Sequence, residues 1–246
     1  MRKYLLFILS FICLTAKSQI EVLGVAVTGS SQTIQFTGKT AVFIGDSYFA
    51  NGYYSGGITI PSAFANVTSS TATNLGISGE ILQNGLSGCS FPRTVFDETT
   101  IPTYVAGTHS AIFFALGTND VGYNVATMTT SGYQSTMESA IDYAHNTKGW
   151  PYNRIIVVVP YYTTVTGRDV YVGDCGVTTT ASQTRLTDYV SAALAAAASK
   201  GTQSLNIYQL QVDTGDPDAL LGGDQLHPNT TGASFIVTQF NGIFYL

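Results

Sequence analysis

The sequence predicts an α/β fold: a five-stranded parallel sheet with helices on both faces, in one unit spanning residues 39–246. Two observations carry this expectation. Short continuous apolar runs recur and stop at glycine or proline, as strands covered on both faces do. Between them lie longer stretches with apolar side chains at three- and four-residue spacing, so strand and helix alternate along the chain.

Composition fits one folded unit. The chain has 246 residues, 45% hydrophobic and only 10% charged, which excludes intrinsic disorder and leaves enough apolar mass for a core. The net charge is −5 and no basic cluster comes after Lys17. A nucleic-acid partner needs a basic face to neutralise phosphates, so none is expected.

Residues 1–18 read as an export signal: Arg2 and Lys3 lead, an apolar run at 5–14 is broken only by Ser10, and Ala16 and Ser18 are small enough for cleavage. The run falls short of the roughly 20 apolar residues of a membrane span. No stable membrane insertion is therefore expected after cleavage, and the mature protein is expected to be secreted or periplasmic. A retained anchor is the alternative; lipidation at Cys13 is discounted because bulky Phe11 and Ile12 precede it. Cleavage leaves 7 basic against 15 acidic residues, a net charge of −8. It also leaves Cys89 and Cys175, which either pair in an oxidising compartment, worth about 4 kcal/mol, or stay as separate thiols.

Residues 19–38 form a lead whose alternation (Ile20, Val22, then Ile34, Phe36) suggests an edge strand. The first strand is expected at 40–44, a weaker second at 71–75, the third at 111–116, the fourth at 154–160 and the fifth at 205–210. A helix is expected at 131–146, with Tyr133, Met137, Ala140, Ile141 and Ala144 on one stripe. Another spans 181–200, with Leu186, Val190 and Leu194 at four-residue spacing and Gly201 as its stop. A last helix at 231–244 closes the chain.

Sheets of this kind bind ligands at the carboxyl ends of their strands. After the first strand comes Gly45-Asp46-Ser47, either a nucleophile on a tight turn or a plain helix cap. After the second comes a turn from Gly76 to Gly79, which either offers a backbone N–H to an anion or simply needs glycine; its spacing is not that of a dinucleotide site. After the third comes Gly117-Thr118-Asn119-Asp120, where Asn119 offers amide donors or is an ordinary loop residue. In Asp224-Gln225-Leu226-His227 the carboxylate can reach imidazole Nδ1 and leave Nε2 as a base, although such a spacing also starts helices. His109, just before the third strand, and His145, late in a helix, read as structural.

Taken together and in this order, the four blocks resemble those of the SGNH (GDSL-type) hydrolase family, over about residues 39–246. The resemblance implies a flavodoxin-like three-layer α/β/α sandwich and ester hydrolysis through an acyl-enzyme. It implies Ser47 as nucleophile, His227 as base and Asp224 as the acid that orients it. It also implies an oxyanion hole made by the backbone N–H groups of Ser47 and Gly79 and the Asn119 side chain. No metal or organic cofactor is required, and no zinc spacing, phosphate loop or haem motif is present in the sequence.

Tyr48 and Phe49 depart from the Leu or Ile, then Thr, that come after the serine in many members, and they are expected to shape the substrate. Tyr161 and Tyr162 join them as expected substrate contacts. With Tyr53, Tyr54 and Tyr171 these two fall in loops after strands one and four, able to stack on sugar rings or to serve as amphipathic surface. Residues 161–177 are long enough to form a rim or lid. The expected partner is a small-molecule or glycan ester, most plainly a carbohydrate O-acetyl ester. The alternatives are a lipase or lysophospholipase acting on longer chains, and a catalytically silent carbohydrate-binding surface protein. A nucleotide-binding protein on the same sheet would not need Asp224 and His227.

Overall fold

The computed structural model describes residues 34–83, 95–122, 129–164 and 183–242. Five parallel strands form one sheet in the order β2-β1-β3-β4-β5. They are β1 (Thr40–Gly45), β2 (Thr71–Asn74), β3 (His109–Ala115), β4 (Ile155–Val158) and β5 (Gln203–Leu205). β1 and β3 are buried along all but their first residue, which is why both read as unbroken apolar runs rather than alternating ones.

Successive side chains of a strand point to opposite faces, and the aromatic residues show how each face is covered. Phe43 of β1 stacks on Phe113 of β3 with ring centroids 4.7 Å apart. Phe113 stacks in turn on Phe240, at 5.4 Å. Phe64 meets Phe43 edge-on. Phe64 belongs to α2 (Ile60–Thr68) and Phe240 to the closing helix (Thr230–Gly242), so these two helices cover that face. A helix at Thr130–Asp142 and another at Gln183–Lys200 pack against each other, through pairs such as Tyr133 and Tyr189 at 5.0 Å. The result is an α/β/α fold around a parallel sheet.

Among the described residues the α-helices, in chain order, are α1 (Ser47–Ala50), α2, α3 (Thr118–Gly122), α4 (Thr130–Asp142), α5 (Gln183–Lys200), α6 (Ile207–Val212) and α7 (Thr230–Gly242). α4 starts at a Thr129 cap, whose side chain accepts from Gly132 N–H, and ends in a π-turn at Tyr143–Thr147.

Two expectations are corrected. The fifth strand is only Gln203–Leu205, because the Asn206 side chain accepts from Gln209 N–H at 3.1 Å and caps α6. An Asn at this position competes with strand pairing and starts a helix instead, and Ile207 and Gln211 then fall on its buried side. The described part of the lead, from Ile34, is not a strand. Ile34 and Phe36 are buried, but Phe36 packs edge-on against Phe64 at 5.0 Å, serving the core rather than a sheet edge. The export signal, Cys89, Cys175, Tyr171 and most of the expected 161–177 rim lie outside the described residues.

Candidate active site

β1 delivers Gly45-Asp46-Ser47 to the rim of the sheet. Asp46 caps α1, its Oδ1 accepting Tyr48 N–H at 3.0 Å, so the serine and the cap are two adjacent residues rather than rival readings of one. The turn is tight because α1 folds straight back on β1. A Cβ on Gly45 would lie 2.6 Å from the Phe49 ring and 2.9 Å from Ala115 O, too close for any side chain. Gly45 pairs with Ala115 across the sheet, which brings the turn after β3 beside the turn after β1.

The last loop meets this turn from the other end of the sequence. Ser47 Oγ lies 2.8 Å from His227 Nε2, and His227 Nδ1 lies 2.6 Å from Asp224 Oδ2. Asp224 Oδ1 accepts the N–H of His227 at 3.0 Å and of Leu226 at 3.1 Å, so one carboxylate shapes the turn and orients the ring. Burial pushes this carboxyl up, but the hydrogen bonds from the His227 ring and from the two backbone N–H groups outweigh it and hold it below its ordinary value. An ionised carboxylate only accepts, so Nδ1 carries the ring proton and Nε2 is left to accept from Ser47. The structure thus brings Ser47, His227 and Asp224 together across about 180 residues of sequence.

The turn after β2 runs alongside β1, with Ile77 N–H donating to Gly45 O at 2.9 Å. It turns at Gly79 with φ +78°, a left-handed conformation that favours glycine. The Gly117–Asp120 block then grips the backbone of residues 80–83. Asn119 Nδ2 donates to Glu80 O at 3.0 Å, and Asp120 accepts Leu82 N–H at 3.0 Å and Gln83 N–H at 2.9 Å. Asp120 is fully buried, and burial pushes it up to about 6 against the pull of those backbone donors and of Arg185. Arg185 in α5 closes this side by donating to Val121 O at 2.8 Å.

One residue of this site carried no sequence signal. Glu80 is 3% exposed, and its Oε2 has no hydrogen-bond partner among the described residues. Burial, with Asp46 and then Asp120 nearby, pushes its carboxyl up to about 8. It lines a cleft of about 190 Å³ with Leu75, Gly76, Ile77, Phe96 and Thr100. A lone acid after a Gly-rich turn gives no periodic hint of burial, which here comes entirely from other elements.

The expected substrate contacts are largely corrected. Tyr48 is 1% exposed, and Phe49 and Tyr161 are fully buried, leaving no surface to offer a ligand. Phe49 packs edge-on against Phe43 and Phe240, and Tyr48 and Tyr161 stack on each other at 3.9 Å. Tyr162 is partly exposed but donates to Asp218 Oδ1 at 2.8 Å, at the edge of the rim. The aromatic ring that does cover the histidine is Tyr53, parallel to the imidazole at 5.1 Å. The other histidines are engaged elsewhere: His109 Nδ1 accepts Val105 N–H, and His145 Nδ1 bonds Trp150 O. Among the described residues, no group of three or more His, Cys, Asp or Glu is placed to hold a metal ion, and no helix is long and apolar enough to cross a membrane.

A parallel α/β sandwich with a serine, a histidine and an aspartate meeting at the strand ends defines a hydrolase class. Residues 43–234 match the GDSL-like lipase/acylhydrolase family, and the chain belongs to that family. Solved structures share the fold. A lipase/acylhydrolase from Enterococcus faecalis superposes with a TM-score of 0.58 at 18% identity, covering 83% of this chain and 96% of that one. An acetylxylan esterase from Geobacillus stearothermophilus gives 0.53 at 17% identity, covering 87% and 97%. An α/β hydrolase from the metagenome of Lake Arreo gives 0.57 at 17% identity, covering 87% and 98%. No curated protein matches the sequence.

Proposed function

We propose that this family member is an exported serine esterase that hydrolyses short acyl esters, above all O-acetyl esters of carbohydrates. The observation that carries the reading is the unbroken line Ser47 Oγ–His227 Nε2, His227 Nδ1–Asp224 Oδ2, at 2.8 and 2.6 Å.

Ser47 Oγ attacks the ester carbonyl carbon while His227 Nε2 takes its proton. The tetrahedral intermediate collapses as the imidazolium gives that proton to the leaving alcohol, and Ser47 is left acylated. Water, deprotonated by the same nitrogen, then attacks the acyl carbon and releases the acid and free Ser47. Asp224 stays ionised throughout, stabilising the imidazolium and holding its tautomer. The backbone N–H groups of Ser47 and Gly79, with the Asn119 amide, face the developing oxyanion. Asn119 and Asp120 hold the turn that carries Gly79 through their bonds to residues 80, 82 and 83.

The carbohydrate O-acetyl reading is supported by the acetylxylan esterase from Geobacillus stearothermophilus among the structures that share the fold, and by the export signal and acidic composition read from the sequence. Labelling by a fluorophosphonate probe, abolished by Ser47→Ala, tests the nucleophile. Rates across p-nitrophenyl esters from acetyl to decanoyl test the acyl preference: a maximum at acetyl or propionyl is expected, and a maximum at octanoyl or longer contradicts it.

A further inference from the structure

Tyr48 has no surface for substrate, yet it is built into the catalytic turn. Its hydroxyl donates to Leu226 O at 2.5 Å. Ser47 and Tyr48, adjacent on α1, thus bond His227 and Leu226, adjacent in the last loop. The phenol ring is held flat against Tyr161, at 3.9 Å and 8° from parallel. Tyr161 is in turn tied to the strand ends through its N–H, which donates to Thr118 Oγ1 at 3.3 Å. The Tyr48 ring also lies 6.0 Å from the His227 ring.

From this geometry we infer that Tyr48 is a positioning residue, whose hydroxyl pins the Asp224–His227 turn to the nucleophile helix and sets His227 Nε2 against Ser47 Oγ. The inference rests on the proposed esterase activity. The turn has internal bonds of its own, Gly222 N–H to His227 O at 2.7 Å and Gln225 N–H to Gly222 O at 2.9 Å. Those fix its shape but not its distance from α1, because both ends lie within the loop. The Tyr48–Leu226 bond spans the gap. Burial, with Asp46 and Tyr161 next, pushes the phenol well above its ordinary value, so it stays protonated and remains a donor. A hydrophobe after the serine fills the space but cannot make this bond.

The test is Y48F, which keeps the ring and the stack and removes only the donor. On p-nitrophenyl acetate kcat is expected to fall about tenfold or more with KM within about twofold, the mark of lost catalytic alignment rather than lost binding. Phe64→Leu, a core change away from the site, serves as comparator: it lowers Tm while kcat of the folded enzyme holds. If Y48F does not fold, Y161L removes the face that holds the ring while keeping the hydroxyl, and must show the same loss in kcat alone. Wild-type kcat in Y48F overturns the inference, as does a loss that merely tracks Tm in all variants. Ser47→Ala, measured alongside, separates the two readings. Full activity there removes the esterase mechanism itself, whereas an inactive Ser47→Ala beside a normal Y48F removes only the role of Tyr48.

Discussion

Tyr53 lies face to face with His227, ring centroids 5.1 Å apart and planes 18° from parallel. Its hydroxyl accepts from Asn51 Nδ2 at 3.0 Å, so the ring is held in place by the segment immediately after α1. Asp224 fixes the imidazole at Nδ1, and Tyr53 packs against its face. Aromatic pairs of this kind contribute about 0.5–1.5 kcal/mol beyond buried area. Tyr53→Leu is therefore expected to lower kcat/KM by about three- to tenfold while leaving Tm within a few degrees, measured by steady-state kinetics and a thermal melt.

Asp224 binds both the ring and the backbone of the turn, and Asp224→Asn separates these roles. The carboxamide oxygen can still accept the backbone N–H groups, but no charge remains to stabilise an imidazolium or to hold its tautomer. A fall in kcat of about 10³- to 10⁴-fold is expected with little change in stability. Loss of folding rather than of turnover would mean that the carboxylate serves the turn alone.

Asn119→Ala removes the proposed oxyanion donor and also leaves Glu80 O without its Asn119 bond. Losing one such donor costs about 10²- to 10³-fold in kcat. KM for p-nitrophenyl acetate is expected to change little, since the donor acts on charge that develops only in the transition state. A change confined to KM would place Asn119 in ground-state binding instead.

Glu80 makes stability depend on pH. Its carboxyl is raised from 4.5 to about 8 in the fold, so the folded chain holds a proton that the unfolded chain has lost. Stability from such a group is full below the unfolded value and is lost as pH rises through the folded one. Asp120, raised to about 6, acts in the same direction but in a lower window. Tm is expected to fall as pH rises from about 4.5 to about 8, and Glu80→Gln is expected to flatten that slope, most plainly above about 6 where Asp120 no longer contributes. An unchanged slope in the variant would show that Glu80 is ionised in the fold. Asp224, held below its ordinary value, acts oppositely and only at the acid end.

The parts of this molecule legible in the sequence are those whose signal is local. β1 and β3 are buried on both faces, so their apolar runs needed no partner to be read, and Gly45, Ser47, Asn119, Asp224 and His227 each sit at a strand end or in the last loop. The features that escaped depend on tertiary contact. The run at 205–210 looks like a strand, yet Asn206 turns it into α6 by one side-chain bond. Tyr48 and Phe49 look like surface beside a nucleophile, and burial against Tyr161, Phe43 and Phe240 makes them framework. Glu80 becomes a neutral buried acid because other elements bury it, and only then because Asp46 and Asp120 arrive from the turns after β1 and β3. Tyr53 finds His227 across most of the chain, a pairing no spacing rule announces.

Turnover of p-nitrophenyl acetate by wild type and by Ser47→Ala, each shown folded by its thermal melt, tests the central claim most directly. Loss of a nucleophile of this kind typically lowers kcat by about 10⁶-fold, so the variant is expected to fall to the limit of detection with Tm essentially unchanged. A folded Ser47→Ala protein that keeps more than about a tenth of wild-type turnover would contradict the account.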